Sequence, residues 1–150
     1  MTLEGPYVPS KQQWVRDQVS EFEASDGARA NTLRDTGDPI VVITSVGART
    51  GHLRKNPVMR VERDGAYVAI ASQGGAPDHP QWYHNFLAHP LVELQDGPEK
   101  HLYAARLVQG PERDEWWKVA VETWPTYARY QEKTDREIPV FVLERLERAA

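Results

Sequence analysis

The chain has 150 residues, 18 of them Lys or Arg and 22 Asp or Glu, for a net charge of −4. That length suits one domain around one core, and the acidic balance excludes a general binder of nucleic-acid phosphates. The absence of cysteine excludes disulfide scaffolds, thiolate metal sites and cysteine nucleophiles and fits a cytoplasmic protein, with neither secretory signal nor membrane span expected.

Ser10 and Gln13 read as a capping box opening a helix from residue 11 to about 25. Trp14, Val15, Val19 and Phe22 fall near one face of it, and Asp26-Gly27 ends it. Residues 28–39 read as loop, with Asn31, Gly37 and Asp38-Pro39 as breakers. The β-branched run 40–46 predicts a buried strand, followed by a turn at 47–51. A second strand is expected over 57–63, and Asp64-Gly65 signals a hairpin into a third, 67–72. Residues 74–80 form an irregular loop before a short helix that runs through Leu87 and closes ahead of His89-Pro90.

Segments 91–95 and 101–108 read as two more strands around Asp96-Gly97-Pro98. Gly110-Pro111 opens a helix whose first turns carry Glu112, Asp114 and Glu115, acids suited to its positive end. Its body, 116–124, stops at Pro125; residues 127–133 add a turn or two, and 138–146 make a final strand. Six short strands, three of them in close succession, predict a mainly β fold: an antiparallel barrel with peripheral helices. The barrel is expected over 38–146, with 1–37 as an N-terminal helix and loop of the same domain.

Charge is unevenly spread. Residues 39–61 contain no Asp or Glu but hold Arg49, Arg54, Lys55 and Arg60. Gly47 and Gly51 bracket Arg49-Thr50, so a tight turn there exposes amide donors, and Arg54, Lys55 and Asn56 enter the next strand, stopped by Pro57. Arg offers a planar fork, Lys a point charge, and Thr and Asn neutral donors. The set suits a small anionic ligand; the plainer reading is a solvated basic turn. His79, His84 and His89, at five-residue steps, share no helical face, and there is no His-Glu-x-x-His pattern, so no metal site is expected. There is no serine-hydrolase elbow, P-loop or dinucleotide fingerprint.

Several motifs occur together in order: Gly47-Ala48-Arg49-Thr50-Gly51, Arg54-Lys55-Asn56-Pro57, Ala71-Ser72-Gln73-Gly74-Gly75, Pro80-Gln81-Trp82-Tyr83-His84-Asn85 and His89-Pro90. Trp124-Pro125-Thr126-Tyr127-Ala128-Arg129-Tyr130-Gln131 and Thr134-Asp135-Arg136-Glu137-Ile138-Pro139 continue the series. Over roughly 38–143 the chain resembles the deazaflavin (coenzyme F420)-dependent nitroreductase family, in the split-barrel flavin and deazaflavin oxidoreductases. The resemblance implies an FMN-binding split-barrel-like fold and use of reduced coenzyme F420, a deazaflavin with a phosphate and an oligoglutamate tail.

By that resemblance Arg54 and Lys55, with Arg49 and Thr50 in the turn and Asn56 and Pro57 after them, hold the phosphate and tail. The backbone around Ala71 and Ser72 lies along the ring, and the loop containing Gln73, Gly74 and Ala76 closes on it. Tyr127 and Tyr130, neighbours if helical, line the acceptor pocket with Met59 and Trp124 and supply the catalytic hydroxyl, Tyr130 first and Tyr127 second. Met59 and Trp124 stand where the founding nitroreductase type has Tyr, which removes two hydroxyls. Trp82 and Tyr83 read as packing residues. The implied activity is hydride transfer to an electron-poor small molecule, an activated alkene, quinone or nitroaromatic. FMN on the same barrel and a non-catalytic deazaflavin-binding protein are the alternatives. A monomer or weak dimer is expected, without nucleic acid; the mixed charges of the first helix support peripheral membrane contact only weakly.

Overall fold

The computed structural model describes residues 3–33 and 36–146, so part of the expected 28–39 loop and the tail from residue 147 lie outside it. Among the described residues seven strands are formed: β1 (Ile40–Val46), β2 (Leu53–Met59), β3 (Glu62–Arg63), β4 (Ala66–Ile70), β5 (Leu91–Asp96), β6 (Glu99–Val108) and β7 (Val140–Arg145). They make one antiparallel sheet in the order β2-β1-β5-β6-β7-β4-β3. Among the described residues four α-helices surround it, α1 (Gln13–Ala24), α2 (Gln81–Ala88), α3 (Gly110–Thr123) and α4 (Thr126–Glu132), with a 3-10 turn at Gln73–Gly75.

β2 and β3 are the two edges of the sheet, yet only Arg60 and Val61 separate them in the chain. The Arg60 amide donates to Pro39 O at 3.0 Å, next to β1, while Val61 O accepts from the Val68 amide at 2.9 Å, on β4. A link this short spans the edges only because the sheet curls on itself. The mainly β barrel expected from sequence is therefore a curled half-barrel, and the expected strand 57–63 is two strands that belong to opposite edges.

Pro57 does not stop β2 but sits inside it, opposite Val42. An edge strand needs backbone donors on one side only, so the missing N–H is tolerated there. β1 has a neighbour on each side and both its faces are covered. Ile40 and Val42 join one core cluster with Val15, Val19 and Phe22 of α1; Val41 and Ile43 join another with Trp82 and Phe86 of α2. This is why its sequence is continuously apolar and not alternating.

Two expectations about α1 are corrected. The helix starts at Gln13, and no side chain caps it. Arg16 takes the carbonyls of Ser10 and Lys11, both at 2.9 Å, and Ser10 Oγ accepts from the Gln12 amide at 3.1 Å, so residues 10–12 are held as a turn outside the helix. Trp14 leaves the face made by Val15, Val19 and Phe22 and is 36% exposed. The turn between β3 and β4 is as expected. Asp64 and Gly65 both take positive φ, 56° and 86°, in the β3–β4 hairpin, as a type I′ turn requires. α2 presents Trp82, Asn85 and Phe86 to the interior at helical spacing.

Candidate functional site

A cleft of about 660 Å³ runs along the β2 edge. β2 contributes Arg54, Asn56, Pro57, Val58 and Met59, and the segment after β4 contributes Ser72, Gln73 and Gly74. Ser10, Lys11, Gln12 and Trp14 border it on the N-terminal side, and Gln81, Trp82 and Asn85 on the α2 side. Trp124, Tyr127 and Tyr130 complete its aromatic end. Lys11 and Arg54 are cationic, and none of the lining residues is a carboxylate.

The basic pair is split. Side chains alternate along a strand, so Arg54 and Lys55 point to opposite faces. Arg54 faces the cleft with Asn56, half-buried, and makes no hydrogen bond or ion pair among the described residues. Lys55 instead forms an ion pair with Glu23 of α1, and its Nζ lies 5.0 Å from the centre of the Tyr7 ring.

In the 47–51 turn three amides are used within the protein, while those of Arg49 and Thr50 have no acceptor among the described residues. Gly47 N donates to His52 O at 2.7 Å and Gly51 N to Gly47 O at 3.0 Å, while Ala48 N donates to Asn85 Oδ1 at 3.0 Å. These donors are spent closing the turn and anchoring it on α2. Arg49 and Thr50 are exposed on its tip and do not line the cleft.

Ala71 is fully buried and Ala76 half-buried, and neither lines the cleft; both face inward through their backbone. Ser72, Gln73 and Gly74 form the wall itself. Gln73, Gly74 and Gly75 take positive φ in succession, 45°, 65° and 81°. A Cβ at Gly75 would stand 2.7 Å from Tyr130 O, so the loop presses against α4 with no room for a side chain.

Tyr127 is buried and Tyr130 half-buried, and neither hydroxyl has a hydrogen-bond partner among the described residues. Burial, reinforced by Tyr130, pushes the Tyr127 phenol well above its ordinary value, so it stays protonated. Trp124 meets both rings edge-on, with centroids 5.0 and 5.7 Å away. Its indole Nε1 donates to Asp38 Oδ2 at 3.1 Å, which fixes the ring and uses its only donor.

Trp82 packs on Phe86 and Phe141, with centroids 4.9 and 6.1 Å away, and also lines the cleft. The sequence reading missed Lys11, Gln12 and Trp14, because nothing local says which tertiary surface an N-terminal helix will cover. It also missed Gln81 and Asn85, although Asn85 is a polar residue on the buried stripe of α2 and could have been flagged.

A family model described as F420H(2)-dependent quinone reductase matches residues 14–145. The chain is 36% identical over 110 residues to an F420H(2)-dependent quinone reductase of Mycobacterium tuberculosis, covering 71% of this chain and 74% of that protein. A solved structure described as an F420-H2 dependent reductase (FDR-A) superposes with a TM-score of 0.68 at 52% identity, covering 71% of this chain and 94% of the other. A second, described as a domain-swapped dimer, has a TM-score of 0.71 at 46% identity over 90% of this chain and all of the other.

Proposed function

The chain belongs to the F420H(2)-dependent quinone reductase family, and on that premise we propose that the β2 cleft binds reduced coenzyme F420 and a quinone-type acceptor beside it. The family name specifies both the cofactor and a reduction, so FMN and a purely storing role fall away as readings.

The observation that carries the reading is Arg54, a half-buried cation without a partner among the described residues, in a cleft that has no carboxylate in its lining. Leaving such a charge half-desolvated is unfavourable unless an anion meets it. The volume of about 660 Å³ also lies in the usual range for cofactor pockets. Bound reduced coenzyme F420 supplies a hydride.

The protein's own contribution is to bind, orient and exclude water. Arg54 and Lys11 hold the phosphate and carboxylates, with Asn56 as a neutral donor. Ser72, Gln73 and Gly74 border the ring, where small residues let the backbone come close to a flat surface. Arg49 and Thr50 meet only the outer tail. Met59, Trp124, Tyr127 and Tyr130 enclose the acceptor. The Tyr130 hydroxyl, seconded by Tyr127, donates to the acceptor oxygen, stabilises the charge that develops there and passes on the balancing proton.

We also read residues 1–150 as one split-barrel domain, with the barrel over 38–146 and 1–37 as its N-terminal helix and loop. No helix among the described residues is long and apolar enough to cross a membrane. A cytoplasmic location is part of this reading. A dimer is too, because one solved relative is described as domain-swapped.

The test is a fluorescence titration of the purified chain with coenzyme F420 and, separately, FMN, followed by F420H2 oxidation with a water-soluble quinone. Tight binding of F420 with quinone-dependent oxidation is expected. Binding of FMN alone, or F420 binding with no oxidation by any quinone, would sink the reading.

A further inference from the structure

The function described so far gives no role to the 134–139 stretch that follows α4. Arg136 turns its guanidinium, half-buried, beneath the loop that runs from Ala71 to His79. Nη2 donates to Ser72 O at 2.8 Å, Nη1 to Ala71 O at 3.1 Å and Nε to Ala76 O at 2.9 Å. Nη1 also donates to His79 Nδ1 at 3.0 Å, which accepts as the Nε2–H tautomer. One planar fork thus satisfies three converging carbonyls and an imidazole, which a lysine ammonium on a single stem cannot do.

The same residue is tied to the acceptor side. Gln131 of α4 donates from Nε2 to Arg136 O at 2.8 Å and accepts at Oε1 from the Ile138 amide at 2.9 Å. α4 carries Tyr127 and Tyr130, and Gly75 of the clamped loop abuts Tyr130 O. Arg136 therefore joins the two walls of the cleft. The loop needs that support: three consecutive left-handed residues, one of them the non-glycine Gln73, persist only where the surroundings over-determine them.

We propose that Arg136 is a positioning residue: it holds the 71–79 loop in its ligand-ready shape and sets the spacing of that loop from α4. The proposal rests on reading the cleft as the F420 site. It predicts that the site is preformed, so that loss of the clamp appears as weaker binding before any change in fold.

The experiment compares Arg136→Ala and Arg136→Lys with the parent chain. It reads amide hydrogen exchange in the ligand-free protein, F420 affinity by fluorescence, and thermal stability. Faster exchange confined to 72–79 and an F420 Kd raised by about tenfold or more are expected in both variants. Millimolar guanidinium should restore affinity to the alanine variant alone. Unchanged loop exchange, a Kd within about twofold of the parent, or a loss that guanidinium leaves untouched would overturn the proposal. Failure of both variants to fold would make Arg136 a folding residue and overturn it equally. If the parent itself does not bind F420, the cofactor reading fails, while the exchange comparison still judges the clamp.

Discussion

Arg54 and Lys55 are adjacent in β2 yet serve opposite faces of the sheet: Arg54 enters the cleft without a partner among the described residues, and Lys55 pairs with Glu23 of α1. The split follows from strand geometry, since no bulge interrupts the register of β2 with β1. One cation is left for a ligand, while the other fastens the N-terminal helix beside it.

The two lysine and arginine variants should therefore separate. Arg54→Ala is expected to weaken F420 binding by about 10- to 100-fold, the worth of a charge-assisted contact, with little change in melting temperature. Lys55→Ala should cost about 1 kcal/mol of stability and leave affinity nearly unchanged. Titration and thermal melts on the same samples check both; equal losses of affinity would return Lys55 to the site.

Tyr130→Phe and Tyr127→Phe remove hydroxyls that bond to nothing among the described residues, so neither should lower stability by more than about 0.5 kcal/mol. The effect belongs in turnover. Tyr130→Phe should lower kcat with a quinone by about tenfold or more, and Tyr127→Phe by less. Full turnover in the Tyr130 variant would take it out of the proton-donating role.

Gly75 and Gly74 make a paired test of the contact between loop and α4. Both take positive φ, but only Gly75 faces a backbone atom, with Tyr130 O 2.7 Å from its would-be Cβ. Gly74→Ala should cost about 1 kcal/mol from φ alone. Gly75→Ala should cost about 1–3 kcal/mol more and weaken cofactor binding. Equal melting temperatures would show that the walls can part without penalty.

His79 gives a pH dependence with a definite sign. Burial first, then the neighbouring charges of Arg136 and His84, hold its pKa below the ordinary imidazole value. Between the folded value and about 6.5, only the unfolded chain takes up the proton, so stability falls as pH falls through that window and levels off below it. Melting curves from about pH 7.5 to about pH 5.5 should show this loss, and His79→Gln should flatten it. A parent chain no less stable at the acid end would refute the assignment.

Asp38 holds the Trp124 indole by its only donor. Asp38→Ala should cost about 1 kcal/mol and loosen the ring that meets Tyr127 and Tyr130. The expected kinetic signature is a raised KM for the acceptor with an unchanged Kd for F420. An unchanged KM would mean that packing alone fixes Trp124.

Much of this was legible in the residues. The continuous β-branched run 40–46, the Asp64-Gly65 turn, the Pro125 stop and the acidic start of α3 each obey local chemistry, and β1, the β3–β4 hairpin, α3 and α4 appear where that chemistry puts them. The motifs, read together, identified the family. Sequence also located the cleft wall at Ser72, Gln73 and Gly74 and its aromatic end at Trp124, Tyr127 and Tyr130, because these lie in short segments whose order is kept.

What sequence could not decide were relationships between segments distant in the chain. Whether Pro57 ends a strand depends on whether that strand is an edge, and the edge is defined by β1 and by the curl that brings β3 round. Whether Lys55 meets a ligand depends on Glu23, 32 residues earlier; whether Ala48 offers its amide depends on Asn85, 37 residues later. Local propensity acts through neighbours a few residues apart. The free charge at Arg54, the spent charge at Lys55 and the clamp at Arg136 are set by which surfaces fold together, and only the tertiary structure decides that.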